Sequence, residues 1–177
     1  KQIEKNLVLI GGGHSHLNVL KSFSMNKIDG LRITLISDVY ETPYSGMLPG
    51  YIENDYSLDD IKVDLYKICY HGNFRFINSS VNNIDVNNKL IYFINSPPLS
   101  FDYLSLNIGI SNDIKKIKNA DKFALRLKPI SKINYNEIIN NLEGKKVGII
   151  GSGLAGIEVS LALKKRYSIL SVSYTHL

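Results

Sequence analysis

Apolar residues gather in short unbroken runs separated by polar, glycine-containing stretches, the pattern of strands buried on both faces of a parallel sheet. Leu7-Val8-Leu9-Ile10, Arg32-Ile33-Thr34-Leu35-Ile36-Ser37 and Val147-Gly148-Ile149-Ile150 are three such runs. A helical pattern follows two of them. After the first, Leu17 and Leu20 share a face that Ser24 extends; after the third, Leu154, Ile157 and Leu161 fall at i, i+3, i+7, with Val159 and Leu163 beside them. Lys164, Lys165 and Arg166 then suit a helix C-terminus. Between these units, residues 74–77, 81–86, 89–94 and 101–109 read as short strands, with a turn at 85–88. Ser57-Leu58-Asp59-Asp60 predicts a helix start, Leu58, Ile61, Leu65 and Ile68 its buried stripe, and Gly72 its end. Two Pro and two Gly predict an irregular loop over 41–50, residues 112–121 read as a polar connection, and Ile130, Ile133, Ile138 and Leu142 predict a helix over 129–142. Strands alternating with helices give the α/β class with a parallel sheet.

The joints between strand and helix carry the chemistry. Gly151-Ser152-Gly153-Leu154-Ala155-Gly156 is a full G-x-G-x-x-G, in the strand–turn–helix context that a dinucleotide turn requires. Gly151 would make the tight turn, Gly153 would let a pyrophosphate approach the main chain, and Gly156 would let helix and strand pack closely. The helix N-terminus then offers amides and a partial positive charge to phosphate. The bland alternative is a glycine-rich turn without a ligand. Gly11-Gly12-Gly13-His14-Ser15-His16 repeats the pattern near the start, with His16 in place of the third glycine. That side chain should push the helix off the strand or turn the imidazole aside, and His14 and His16 become candidate neighbours of a cofactor. Two such turns imply two nucleotides. A ribose-binding residue is expected at the end of the second strand, where Ser37 and Asp38 stand; Asp38 reads equally as a solvated turn acid. Tyr44, Met47 and Leu48 would either lie against a flat cofactor or plug the core.

Composition removes several classes. At 177 residues the chain has room for one domain, or one and part of another. The net charge of +5 comes from scattered lysines without a basic stripe, which disfavours nucleic acid and leaves only weak attraction to anionic surfaces. No apolar run reaches the ~20 residues needed to span a bilayer. One cysteine, Cys69, excludes an internal disulfide and a C-x-x-C pair, and suits a reducing compartment such as the cytoplasm. Asp55, Asp59, Asp60 and Asp64 read as helix-start and solvated acids and Cys69 and His71 as packing and surface residues, so no metal site is assigned. The first residue is not Met, so a missing start is expected, and Ser171–Leu177 (SVSYTHL) reads as a tail foreign to the protein.

GGGHSH at 11–16, ITLIS at 33–37, V-x-x-I-D-x-x-x-K from Val81 to Lys89, FDYLSLNIG at 101–109 and GSGLAGIE at 151–158 occur in that order over nearly the whole chain. The set resembles the two-dinucleotide-binding-domain flavoproteins of the pyridine nucleotide-disulfide oxidoreductase superfamily. GGGHSHLNVLKSF with TPYSGMLPGYI is similar to the NADH dehydrogenase-like flavoproteins, including those fused to selenide, water dikinase, in which His replaces the third glycine. The resemblance implies a Rossmann-like FAD-binding domain over 1–118, with a small antiparallel β crossover, and the incomplete start of an NAD(P)H-binding domain over 119–177. It implies FAD contacts at Gly11, Gly13, His14, Ser15, Ser37, Asp38, Ser45, Met47, Val81 and Gly109. NAD(P)H contacts are implied at Gly151, Gly153, Gly156 and Glu158, the last filling the acid position of G-x-G-x-x-G-x-E. The implied activity is hydride transfer from NAD(P)H to FAD and onward to an acceptor such as a quinone, without a catalytic side chain or a metal. The absent redox cysteine pair argues against disulfide reduction. The alternative is an accessory flavin-binding module that senses redox state for a fused selenide, water dikinase. The expected location is the cytoplasm, with peripheral contact at a membrane allowed, and the 177 residues are expected to be an inactive, poorly stable fragment.

Overall fold

The computed structural model describes residues 2–111, 114, 117–133, 142, 144–151 and 153–167 and the backbone at 174–175. In chain order the elements are β1 (Lys5–Ile10), α1 (His14–Met25), β2 (Leu31–Ser37), β3 (Glu41–Pro43), α2 (Leu48–Glu53), β4 (Lys62–Asp64), α3 (Leu65–Gly72) and β5 (Arg75–Asn78). They continue with β6 (Val81–Asp85), β7 (Leu90–Phe93), β8 (Leu99–Ser100), β9 (Tyr103–Leu106), α4 (Ala120–Phe123), β10 (Ile149–Ile150), α5 (Leu154–Tyr167) and β11 (Tyr174–Thr175). The described residues of 2–42 and 63–110 form one compact unit, and those of 43–62 with 111–175 form a second.

The first unit is built on a parallel sheet of order β5-β2-β1-β9. β1 lies beside β2 from Lys5↔Leu31 to Ile10↔Ile36, and beside β9 from Leu7↔Tyr103 to Ile10↔Leu106. Side chains alternate across a strand, so each apolar run is divided between two cores. Leu9, Ile33 and Leu35 face α1 and α3 and pack with Leu20, Leu65 and Cys69. Val8, Ile10 and Ile36 face the other way and pack with Ile91 and Phe93 of the antiparallel layer β6-β7-β8 and with Phe101, which follows β8. Each fully buried Leu or Ile contributes on the order of 1.5–3 kcal/mol relative to an exposed one. Burial on both faces explains why β1 and β2 lack the alternation of a one-sided strand.

The helix expected to start at Ser57 starts at Leu65 instead. Ser57 and Asp60 do cap one another, through Ser57 N and Oγ to Asp60 Oδ2 (2.8 and 2.6 Å) and Asp60 N to Ser57 Oγ (3.2 Å), but they close an isolated turn. The chain then runs extended as β4, and Asp64 caps α3 by accepting the Lys67 amide at 2.8 Å. The stripe that looked continuous serves two cores: Leu58 and Ile61 belong to the second unit's core, Leu65 and Ile68 to the first's. The loop expected over 41–50 contains β3, a 3-10 turn at Ser45–Met47 and the first residues of α2. Pro49 sits in the first turn of α2, where a missing N–H costs nothing.

In the second unit β10 and β11 pair in parallel across α5. Val159, Ala162 and Leu163 of α5 are buried with Leu48, Tyr51 and Ile52 of α2 and Ile61. Sequence periodicity favoured the wrong face: Leu154, Ile157 and Leu161 are 81%, 41% and 61% exposed. The cause is the partner, since among the described residues α5 packs on α2 more extensively than on the two-residue β10. Lys165 pairs with Glu53 and Asp55, and Arg166 donates to the Ile52 carbonyl at 3.1 Å. The cations at the end of α5 thus also satisfy the C-terminal end of α2. Most of the helix expected over 129–142 lies outside the described residues; within them Ile130–Lys132 form one 3-10 turn. The strand expected from Ser168 also lies outside them.

Candidate dinucleotide site

From β1 the chain steps to β2 and β5 on one side and to β9 on the other, so strand order reverses between β1 and β9. Ligands of open parallel sheets bind outside the carboxyl ends of the strands at such a point. Gly11–Gly13 occupy that position. Gly11 has φ +93° and donates its N–H to the Ile36 carbonyl at 2.8 Å. A Cβ there would stand 2.2 Å from the Asn107 carbonyl oxygen and 2.9 Å from Ile108 Cα, backbone atoms that cannot swing aside. Gly13 is the N-cap of α1, supplies no side-chain cap, and is followed by no acid in the first turn. The leading amides of a helix lack intrahelical acceptors. A negatively charged group therefore suits this end, while the space that side chains at Gly11 and Gly13 would need is taken by Asn107.

His16 is neither turned aside nor a wedge. Its ring is 1% exposed and bridges the turn to β9. Nδ1 lies 2.7 Å from the Gly11 carbonyl oxygen and Nε2 lies 2.9 Å from Ser105 Oγ. A carbonyl only accepts, so Nδ1 carries the proton and donates; Nε2 of the neutral ring then accepts from the Ser105 hydroxyl. Burial pushes the imidazole pKa below 6.5, partly opposed by the bond to Gly11. His14 and Ser15 are exposed on the first turn of α1, and Asn18 Nδ2 donates to His14 Nε2 at 3.1 Å.

Ser37 ends β2 buried, its Oγ accepting the Val39 amide at 3.3 Å. Asp38, next in the chain, is exposed. Val81 opens β6 and packs into the core with Ile36 and Phe93. Gly109 follows β9 with φ +74° and open space where a Cβ would stand. Ser45 is exposed in the 3-10 turn of the second unit, whereas Met47 and Leu48 pack into that unit's core. At the second turn Gly151 has φ +111°, and a Cβ on Gly156 would stand 2.2 Å from the Gly151 carbonyl oxygen. Gly156 N donates to the Gly153 carbonyl at 2.9 Å, and Glu158 is exposed on α5. The two turns thus use glycine differently. In the second the third glycine lies against the first; in the first an imidazole fills that place.

Asn107 and Ser105 had no role in the sequence reading. Asn107 lies against both Gly11 and Gly13, its Oδ1 occupying the space where a Gly13 Cβ would go. The alternation of β9 carried a signal for Ser105, a polar residue on the face turned toward α1, where the imidazole of His16 needs a partner. Cys69 is buried and its thiol is pushed up to about 11 by that burial, so it is not a poised nucleophile. A groove of about 490 Å³, lined in part by Phe23, Arg32, Phe74 and Arg75, lies at the amino ends of β2 and β5, the opposite sheet edge from the glycine turn.

No family model matches the chain. The NADH dehydrogenase-like protein YutJ of Bacillus subtilis is 26% identical over 175 residues, covering 95% of this chain and 47% of that protein. The sulfide:quinone oxidoreductase of Aquifex aeolicus superposes on 97% of this chain and 43% of its own, with a TM-score of 0.75 and 21% identity. NDH2 of Plasmodium falciparum in complex with NADH gives a TM-score of 0.72 at 20% identity, over 96% and 41% of the two chains. The NAD-dependent persulfide reductase of A. fulgidus gives 0.76 at 22%, over 96% and 33%. The chain shares its fold with these solved oxidoreductases. The chain spans about half the length of the curated relative it matches. No helix of the described residues is long and apolar enough to cross a membrane.

Proposed function

We propose that the chain is part of an NADH dehydrogenase-like oxidoreductase, with an FAD-binding domain over 1–118 and the beginning of an NAD(P)H-binding domain over 119–177. The observation that carries it is the Gly11 turn at the strand-order reversal, closed to any side chain and leading into a helix start that holds no acid. In this role Gly11 and Gly13 admit the pyrophosphate to the main chain, with His14 and Ser15 beside it on the first turn of α1. Asp38, exposed at the end of β2, is better placed than the buried Ser37 to accept ribose hydroxyls. Val81 and Gly109 flank the flavin domain's ligand edge, and Ser45 and Met47 are assigned to the cofactor on the resemblance of TPYSGMLPGYI. Gly151, Gly153 and Gly156 would receive the NAD(P)H pyrophosphate, with Glu158 on the following helix. FAD, when bound, supplies the hydride-accepting and electron-passing chemistry; the chain's own groups bind and orient. A quinone-class acceptor is the proposed electron sink, and the name of the Aquifex aeolicus relative supports that class. A single buried thiol suits the cytoplasm, and a quinone acceptor would bring the protein to a membrane surface.

The protein expressed from the reading frame that contains this chain should purify with stoichiometric FAD. Its visible absorbance should bleach under anaerobic NADH or NADPH and recover on adding a soluble quinone. Flavin that binds but stays oxidised with both nucleotides would favour the accessory, redox-sensing role, and absence of flavin would overturn both.

A further inference from the structure

We propose that His16 is a positioning residue, whose neutral Nδ1–H imidazole ties the glycine turn to β9 and so holds the backbone amides at the start of α1 for a pyrophosphate. The inference rests on the proposal that this turn takes FAD. In a G-x-G-x-x-G turn the third glycine acts by absence, allowing helix and strand to close up. Here the position holds the most buried polar side chain of α1. His16 Nδ1–H donates to the Gly11 carbonyl at 2.7 Å, on the residue whose φ of +93° defines the turn. Ser105 Oγ–H donates to Nε2 at 2.9 Å from β9. Two residues further along, Asn107 N donates to the Ile10 carbonyl at 2.9 Å and its own carbonyl oxygen stands where a Gly11 Cβ would be. The loop closes on itself: turn, imidazole, β9 and back to the turn. An apolar side chain of similar volume would fill the space but leave a buried carbonyl and a buried hydroxyl without these partners. The order of the turn would then depend on glycine-rich backbone alone, the least constrained kind of chain.

Three variants separate positioning from space filling. His16→Asn can place an amide N–H where Nδ1–H now lies, His16→Leu fills the volume without a donor, and Ser105→Ala removes only the distal partner. In the apoprotein, ¹⁵N shifts of the ring should report a protonated Nδ1 and an unprotonated Nε2. By fluorescence titration His16→Leu should weaken FAD binding by about tenfold or more, equivalent to about 1.4 kcal/mol. His16→Asn should stay within about threefold of the parent, and Ser105→Ala should fall between, while thermal melts should show the Leu and Asn variants losing similar stability. The opposite tautomer, a Leu variant that binds like the parent, or Asn and Leu variants equally impaired would each overturn the inference. Should His16→Leu not fold, the ring shifts and Ser105→Ala still decide. A parent that binds no FAD at all would sink the functional proposal and this inference together, whereas FAD binding unchanged across the variants sinks only the latter.

Discussion

Gly11 and His16 act as one device, because the carbonyl that the imidazole captures belongs to the residue whose left-handed backbone makes the turn. Their charge states follow from the same geometry. Burial depresses the His16 pKa below 6.5, so the unfolded chain takes up a proton near that value while the native ring does not. Stability should therefore be full above about pH 6.5 and fall as pH drops through it, levelling off only below the native pKa. Urea midpoints at about pH 7.5 and about pH 5.5 check this: the parent should lose stability between them, and His16→Asn should lose less. Asp60, Asp64, Asp85 and Asp102 do not confuse the window. Their pKa values are held below 3.8, chiefly by hydrogen bonds from Ser57, Lys67, Asn88 and Asn6, so the stability they add is lost only in more acidic solution. At this scale the sequence disclosed the positions but not the partners. The spacing G-x-G-x-x-H located His16, yet nothing local to residues 11–16 could indicate that a serine some 90 residues away, at position 105, would meet its ring.

Elements were legible where one core decides a pattern and illegible where two cores share it. β1 and β2 followed from apolar runs because each is sandwiched between layers on both faces. The α3 start was missed because Leu58, Ile61, Leu65 and Ile68 fit one helical stripe while serving two cores, with β4 between them. Asp64, not Ser57, is the N-cap that counts. Asp64→Ala should lower the unfolding midpoint while Asp64→Asn, which keeps an acceptor for the Lys67 amide, should lower it less; Asp60→Ala, which disturbs only the isolated turn, should leave far-UV helical signal unchanged. Equal losses for Ala and Asn at 64 would show that charge at the helix start, not the cap bond, was the contribution. In α5 the face was misjudged because periodicity reports which residues are apolar, not which neighbour covers them. Small Ala162 and Val159 allow close approach to α2, and the larger Leu154 and Leu161 remain outside it.

For the whole molecule the α/β class and the fold shared with the solved oxidoreductases were readable from the order of strand, glycine turn and helix, repeated near both ends of the chain. What could not be read was that 43–62 would join the compact unit of the second turn, because its core residues meet α5 only in three dimensions. We propose that the start of α1 is an anion site for the FAD pyrophosphate. Ser15 offers a test in which stability and binding should move in opposite directions. It is exposed on a first turn that holds no acid, so Ser15→Asp should stabilise α1 by about 0.3–1 kcal/mol through the helix dipole. The same carboxylate would repel a pyrophosphate at that end. The decisive measurement is a fluorescence titration of FAD into parent and Ser15→Asp protein, with melting temperatures taken in parallel. An anion site at this end requires saturable, stoichiometric binding by the parent and a loss of about tenfold or more in the variant, without a lower melting temperature. A parent that does not bind FAD, or a folded variant that binds it equally well, would contradict it.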